Sequence, residues 1–517
     1  MTVSILILIA ALMTGWASDF LFYNSISNAV PNGVSVLLWS LMISLAVSVV
    51  AAVKKKEVNS HCLWWLLPVN LSAFAYMWRD SGMLHNIDVY LILFSLVMLS
   101  FSLKGNIAQT TGIAKIFDAF LATAVDAGIE AISLLKIDIP WNKAFPPAVR
   151  AKVPAVLRGV TFAVPLLVVF CALFWSADAT FAAILSRGFT ADVPVKIAHT
   201  ALILSITWFM AGYMRPMFLG ASSGTSTIAF GGTKSNSGEL SFWETLDLKI
   251  GRVELNVVLG LLNVLFLAFV LVQIRYFFGG HQLVMSTAGL TCAEYARKGF
   301  FELATVSGLV LPLLLVADFM LPRHKDKFDK IFPIQAAFQI LMLFVIMASA
   351  IQRMDLYEYS YGLTELRFYV SAFIKCMAVL YAIFAGTVLV GKRANFAFAA
   401  SIAAFLVVGV LQIANPDRII VAANIQNAMR GKDFDVDYAL SLSSDATTYL
   451  AQNVGKLPFK AQKQVAAALI KQEQNANNYS FLSFNVSRAD AFHAVHENLP
   501  LLKAINTVGA IEETAPH

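Results

Sequence analysis

Charge is scarce in this chain of 517 residues, with Asp, Glu, Lys and Arg together making up 14%. Soluble proteins carry about 25%, so a soluble enzyme and a charge-rich disordered chain are both excluded. Cysteine is scarcer still, with four in all. Cys62, Cys171, Cys292 and Cys376 show no paired spacing, which excludes a disulfide scaffold and leaves small buried thiols as the expectation. No Gly-x-Ser-x-Gly elbow occurs, and Gly231-Gly232-Thr233-Lys234 lacks the first glycine and flanking elements of a phosphate loop. His493 and His496, followed by Glu497, are in the wrong order for a zinc protease and read as one exposed helix face. No enzyme activity, metal or other cofactor is expected.

What the chain does have is apolar length. Hydrophobic residues make up 58% of it, in runs that approach the roughly 20 residues a spanning helix needs. Eleven runs qualify: 3–17, 34–53, 62–78, 87–103, 155–177, 195–214, 253–274, 299–320, 331–351, 366–390 and 395–413. They lack the two-residue alternation of a membrane barrel, so helices are the spanning form. The expected fold is all-α: a polytopic transmembrane bundle of about eleven spans with a small all-helical extramembrane C-terminal domain. The first run has no basic residue before it and ends in Ala17 and Ser18, small enough for a signal-cleavage site. We read it as a retained helix.

Basic residues set the expected orientation. With Met1 cytoplasmic, the inside segments hold twenty Lys and Arg and the outside loops eight. An odd number of spans then puts residues 414–517 in the periplasm of a bacterial inner membrane. That tail carries nine basic and ten acidic residues, so the net charge of +6 belongs to the inner face, against anionic headgroups. No clustered basic face suggests nucleic acid. Oligomeric state is not legible.

Four parts follow. Residues 1–103 form four spans. Residues 104–154 form a cytoplasmic segment in which Ile116, Phe117, Phe120 and Leu121 recur at helical spacing with Asp118, Asp126 and Glu130 between them. This pattern predicts an amphipathic helix lying in the interface. Residues 155–413 form seven spans, interrupted by a flexible cytoplasmic loop at 216–250 in which Gly, Ser and Thr dominate positions 220–238. In residues 414–517, helices are expected to start at Asp433 or Asp435, at Ser443 or Ser444, and at Pro458.

Polar and aromatic residues gather in the outer loops around spans seven to ten: Arg275, Tyr276, Glu294, Tyr295, Arg297, Glu302, Arg353, Glu358, Tyr361, Glu365 and Arg367. Two readings stand. Either they are salt bridges and an aromatic belt that tie helix ends and dock the C-terminal domain, or they form an outward vestibule for an anionic headgroup or solute. Lys375 and Asp318 are the intramembrane charges singled out. Asp318 reads as interfacial, and the depth of Lys375 favours a protein partner or a watery cavity. Asn70, Asn263, Gln273, Gln335 and Gln339 read as interhelical hydrogen-bond glue. Buried acids are too few to suggest ion-coupled pumping.

Several of these motifs coincide with one family's. Ser176-Ala177-Asp178 with Phe181, Arg275 to Gly280, Tyr295 to Leu303, Tyr361 to Arg367 and Asn415-Pro416-Asp417 together resemble the bacterial multi-pass inner-membrane family catalogued as domain of unknown function 4153. The resemblance spans roughly residues 155–450 and implies an inner-membrane location, without an activity or catalytic residues. The first expected function is transport or translocation of a lipid-linked or anionic envelope solute. The alternative is a non-catalytic scaffold or signalling partner that presents residues 414–517 to an envelope protein. Membrane lipids are partners in either case.

Overall fold

The computed structural model describes residues 3–28, 33–54, 60–105, 113–139, 192–220, 252–278, 300–320, 331–475 and 481–514. All of the regular structure among them is helical. In chain order the helices are α1 Val3–Asn28, α2 Val34–Val53, α3 Leu66–Trp78, α4 Gly82–Leu103, α5 Ile113–Ser133 and α6 Asp192–Leu219. Next come α7 Arg252–Phe278, α8 Phe300–Met320, α9 Ile331–Tyr361, α10 Glu365–Thr387 and α11 Phe396–Ala414. The chain ends with α12 Pro416–Met429, α13 Val436–Ser441, α14 Ser444–Asn453, α15 Phe459–Asn475, α16 Val486–Glu497 and α17 Leu499–Thr514.

Among the described residues, eight helices are long and apolar enough to cross a membrane: α1, α2, α4, α6, α8, α9, α10 and α11. Three expected spans are not among them. Residues 155–177 lie outside the described residues. Residues 62–78 form a short 3-10 turn, Ser60–Trp65, followed by the 13-residue α3. In α7 the apolar stretch is Leu255–Leu271, shorter than the helix itself.

The first helix does not end at Ala17. It runs to Asn28, and Thr14 and Ser18 donate back to the carbonyls of Ala10 and Thr14, each at 2.7 Å, which satisfies both hydroxyls within the helix. It lies antiparallel to α6, with Asp19 2.7 Å from His199. Ile7, Ala11 and Thr14 are fully buried there.

The amphipathic segment forms α5, turned opposite to a surface helix. Ala119, Thr123, Asp126, Glu130 and Ala131 are its buried positions, while Phe117 and Phe120 are 44% and 48% exposed. Its acids face the protein: Asp126 meets Lys104 at 2.6 Å, Glu130 pairs with Arg215, and Asp138 lies 2.6 Å from Arg215 Nε. Trp208 Nε1 donates to the Gly128 carbonyl at 2.8 Å. A Cβ on Gly212 would stand 2.3 Å from the Ala127 carbonyl oxygen, so only glycine permits this approach. The segment is therefore docked on the bundle by its charged face, with aromatic rings outward.

Helices α12 to α17 pack around one apolar cluster that includes Ile420, Val421, Leu450, Val465, Leu469 and Leu502. We call them the cap. Asp435 accepts from Tyr438 N at 2.9 Å and starts α13, Ser443 precedes α14, and Pro458 precedes α15. Of the loop expected at 216–250, residues 216–219 belong to α6 instead, and the part beyond Gly220 lies outside the described residues.

Candidate functional site

The cap is seated on one end of the bundle through a dense polar seam. Its bundle half is a three-residue turn, Arg79-Asp80-Ser81, between α3 and α4. Arg79 Nη1 lies 3.1 Å from Asp445 Oδ1, and its Nε donates to the Gln412 carbonyl at 2.7 Å. The Asp80 amide donates to Asp445 Oδ2 at 2.8 Å, and the Asp80 carboxylate takes Arg488 Nη2 at 2.5 Å. Asn485 Nδ2 donates to the carbonyls of Tyr76 and Arg79, which α3 leaves open at its C-terminal end. The start of α2 is held too: Val34 N donates to the Phe484 carbonyl at 2.9 Å, and Ser35 Oγ to that of Leu482 at 3.0 Å.

Asn415-Pro416-Asp417 forms the pivot between α11 and α12. Asn415 takes the left-handed conformation at φ 57°, which Asn tolerates better than most side chains. Its oxygen accepts from Arg418 N at 3.1 Å and caps α12, while its nitrogen donates to Asp445 Oδ1 at 3.0 Å. Pro416 then occupies the first turn, where its missing N–H costs nothing. Asp417 is 1% exposed and receives the Ser443 hydroxyl, which leaves its Oδ1 unpartnered. Burial raises the Asp417 carboxyl above the ordinary range, and the nearby Asp445 adds to this against the Ser443 hydrogen bond. One turn inside the bundle, Gln412 Nε2 reaches both oxygens of the fully buried Asp88, at 3.0 and 2.9 Å.

Beside this seam lies a polar pocket of about 340 Å³ whose lining includes Trp78, Arg79, Arg418, Asp445, Tyr449 and Asp490. The Arg79 guanidinium stacks 4.3 Å from the Trp78 ring, and Arg418 lies 5.6 Å from that of Tyr449. Arg418 and Asp490 are exposed at its mouth. Ile413 and Ile419, close in sequence to Asn415 and Arg418 of its lining, are 73% and 38% exposed.

The expected vestibule is only partly within view. Glu294, Tyr295 and Arg297 lie outside the described residues, and Arg275 and Tyr276 are placed only as residues of α7. Glu302 is exposed in the first turn of α8, and Arg353 is half-buried on α9. The α9–α10 turn is a docking device. Leu363 enters the cap core, and its backbone exchanges two hydrogen bonds with the Asn424 amide at 2.8 and 2.9 Å. Arg367 donates to the Gly362 carbonyl at 2.5 Å and stacks 4.2 Å from the Tyr357 ring, which itself lies 5.2 Å from that of Tyr361. The Tyr438 hydroxyl accepts from Glu365 N at 2.7 Å. Burial raises the Glu358 carboxyl, and the Asp355 charge adds to this.

Lys375 is exposed on α10, and its charge acts on Glu358, where it opposes the effect of burial. Asp318 lies 3.7 Å from Arg393. Among the described residues, no group of three or more His, Cys, Asp or Glu is placed to hold a metal. Cys62 donates to the Ser102 carbonyl at 3.2 Å and Cys376 is a free thiol.

The family described as "Domain of unknown function (DUF4153)" matches residues 66–453. The chain belongs to the DUF4153 family. The match begins at α3, so it takes in the Arg79-Asp80-Ser81 turn and α4, well before the residue 155 expected from the motifs. It ends with α14, so Arg79, Asp80, Asn415, Asp417 and Asp445 lie within the family region, while Val34, Ser35 and the seam residues from Leu482 to Arg488 lie outside it. No curated protein and no solved structure matches the chain.

Proposed function

We propose that this DUF4153 protein binds, and takes part in the translocation of, a lipid-linked or anionic envelope solute. The observation that supports this is the pocket at the seam. An exposed Arg418 with no ion pair among the described residues faces Asp490, with aromatic rings from Trp78 and Tyr449 and with Ile413 and Ile419 exposed close to it in sequence. This suits a phosphate-bearing headgroup whose lipid tail rests on Ile413 and Ile419. The reading takes about eleven spans, a cytoplasmic N-terminus and a periplasmic cap in a bacterial inner membrane. Each described ion pair between membrane-part residues joins partners that this topology puts at the same end.

Native mass spectrometry of the full chain in nanodiscs containing anionic lipid tests the binding step. Arg418→Ala should cut retained anionic lipid about tenfold, the loss expected for one charge-assisted contact. Equal retention in wild type and variant would overturn the site. A second reading, the scaffold, is favoured by the cap's rigid seating through Arg79–Asp445 and Arg488–Asp80. In-cell crosslinking from the exposed face of α15 should then capture one envelope protein reproducibly.

A further inference from the structure

Far from the cap, at the opposite end of α9, the bundle holds a second polar feature that the seam pocket does not explain. Helices α7 and α9 meet through amide side chains. Asn256 and Asn263 share one face of α7 at a spacing of seven, with Gly260 between them, and Gln335 and Gln339 lie one turn apart on α9. Gln339 is about 12 Å along α9 from Ile331, at the helical rise per residue. Asn263 Nδ2 donates to the Gln335 carbonyl at 3.1 Å, and Gln335 Nε2 donates to the Asn256 carbonyl at 3.2 Å. These two bonds orient the Asn263 and Gln335 amides with their nitrogens toward backbone carbonyls.

The oxygens are left over. Asn256 Oδ1, Asn263 Oδ1, Gln335 Oε1 and both polar atoms of Gln339 are buried without a partner. Gln339 is 0% exposed and Asn263 7%, among Leu259, Ala336, Ile340 and Leu343. Hydrogen-bond glue explains the two amide nitrogens that donate, but not four acceptor oxygens and a wholly orphaned Gln339. A buried polar group without a partner is costly, more so in hydrocarbon, and orphans on this scale call for something that satisfies them.

We infer that the α7–α9 interface is a binding site for a partly hydrated monovalent metal cation, ligated by the side-chain oxygens of Asn256, Asn263, Gln335 and Gln339. Four orphan acceptors against a single orphan nitrogen leave an excess of negative dipole ends in a low-dielectric interface, which selects a cation over an anion. The ligand residues carry no carboxylate, so nothing in the set neutralises a second positive charge, and a divalent ion is disfavoured. Gln339 Nε2 donates to a water that the ion retains. The site goes beyond the headgroup pocket and can fail independently of it.

Equilibrium binding of 22Na+ and 86Rb+ to the full chain in nanodiscs, with thermal unfolding in NaCl, KCl and choline chloride at equal ionic strength, tests this. Saturable binding of one ion is expected, with a higher Tm in its salt than in choline. Gln339→Met should weaken that binding about tenfold and abolish the salt dependence of Tm. Gln335→Met serves as the second variant if the first does not fold. No saturable binding with equal Tm in the three salts would overturn the site. So would unchanged binding in both variants, or a Gln339→Met protein more stable than wild type in every salt, which would mean that the orphan atoms hold water alone.

Discussion

The bundle and the cap both bury apolar cores, and differ in what they turn outward and in where they keep their polar groups. On α11, Leu406, Val410 and Ile413 are 65%, 64% and 73% exposed, while Gln412 is 4% exposed and bonded to Asp88. On α15, Val465, Ala466 and Leu469 are fully buried, while Lys460, Lys463 and Lys471 belong to the polar remainder of the helix. The cap follows the rule of a water-soluble protein, with apolar residues in and charge out. The bundle turns apolar side chains toward the membrane and spends its polar groups on helix–helix contacts. Helix α5 sides with the bundle: Phe117 and Phe120 point out and Glu130 points in. The solvent, rather than the periodicity, decides which face is buried.

The strongest way to break this comparison is at the bundle's buried charge. Arg215 is 4% exposed and bonds Glu130 and Asp138 together, with Glu130 wholly buried. Arg215→Met leaves two acids facing each other in a water-poor interior and should cost about 3–5 kcal/mol, the range for breaking one side of a buried pair. Chemical unfolding of the nanodisc-embedded protein measures it. A loss below about 1 kcal/mol, the scale of an exposed surface pair, would mean that α5 is not docked as described. Replacing Arg215, Glu130 and Asp138 together by apolar residues should recover most of the loss.

A matched pair of truncations sharpens the contrast. Leu450→Ala in the cap core removes a fully buried side chain and should cost about 2–5 kcal/mol. Leu406→Ala, 65% exposed on α11, should change stability by no more than about 0.5 kcal/mol. Equal costs would show that Leu406 is covered by another protein surface.

Which parts of this were legible beforehand follows from the same physics. Apolar runs report spans directly, so α2, α8, α10 and α11 were readable to within a few residues, while α9 runs ten residues beyond its apolar run, to Tyr361. The cap starts at Asp435, Ser443 and Pro458 were readable because N-terminal capping chemistry is local. The seam was not. Arg79 and Asp445 are separated by 366 positions in sequence, and nothing local marks them as partners. A signal was present all the same, in the Arg and Asp of the short turn at 79–81. The facing of α5 was read for an aqueous side, and the apolar pattern alone does not distinguish lipid from core.

The smallest expected effect lies at the seam, where the two regimes meet. Asp417 has a folded-state pKa raised above its ordinary 3.8, chiefly by burial. The groups facing it are Asp445, Glu365, Ser443, Ser81, Tyr369 and Tyr438, of which the Ser443 hydroxyl and amide and the Ser81 hydroxyl favour the charged form. A carboxyl with a raised folded pKa binds its proton more tightly in the native state than in the unfolded one. Its stabilising contribution is complete below the unfolded value and is lost as pH rises through the folded one. Wild type should therefore lose stability relative to Asp417→Asn as pH climbs from 3.8 through that raised value, and the gap should stay constant above it. Tm profiles of the two proteins against pH measure the difference. Parallel profiles across that window would show that water or a cation reaches Asp417, and would place the seam with the solvated cap instead of the dry bundle.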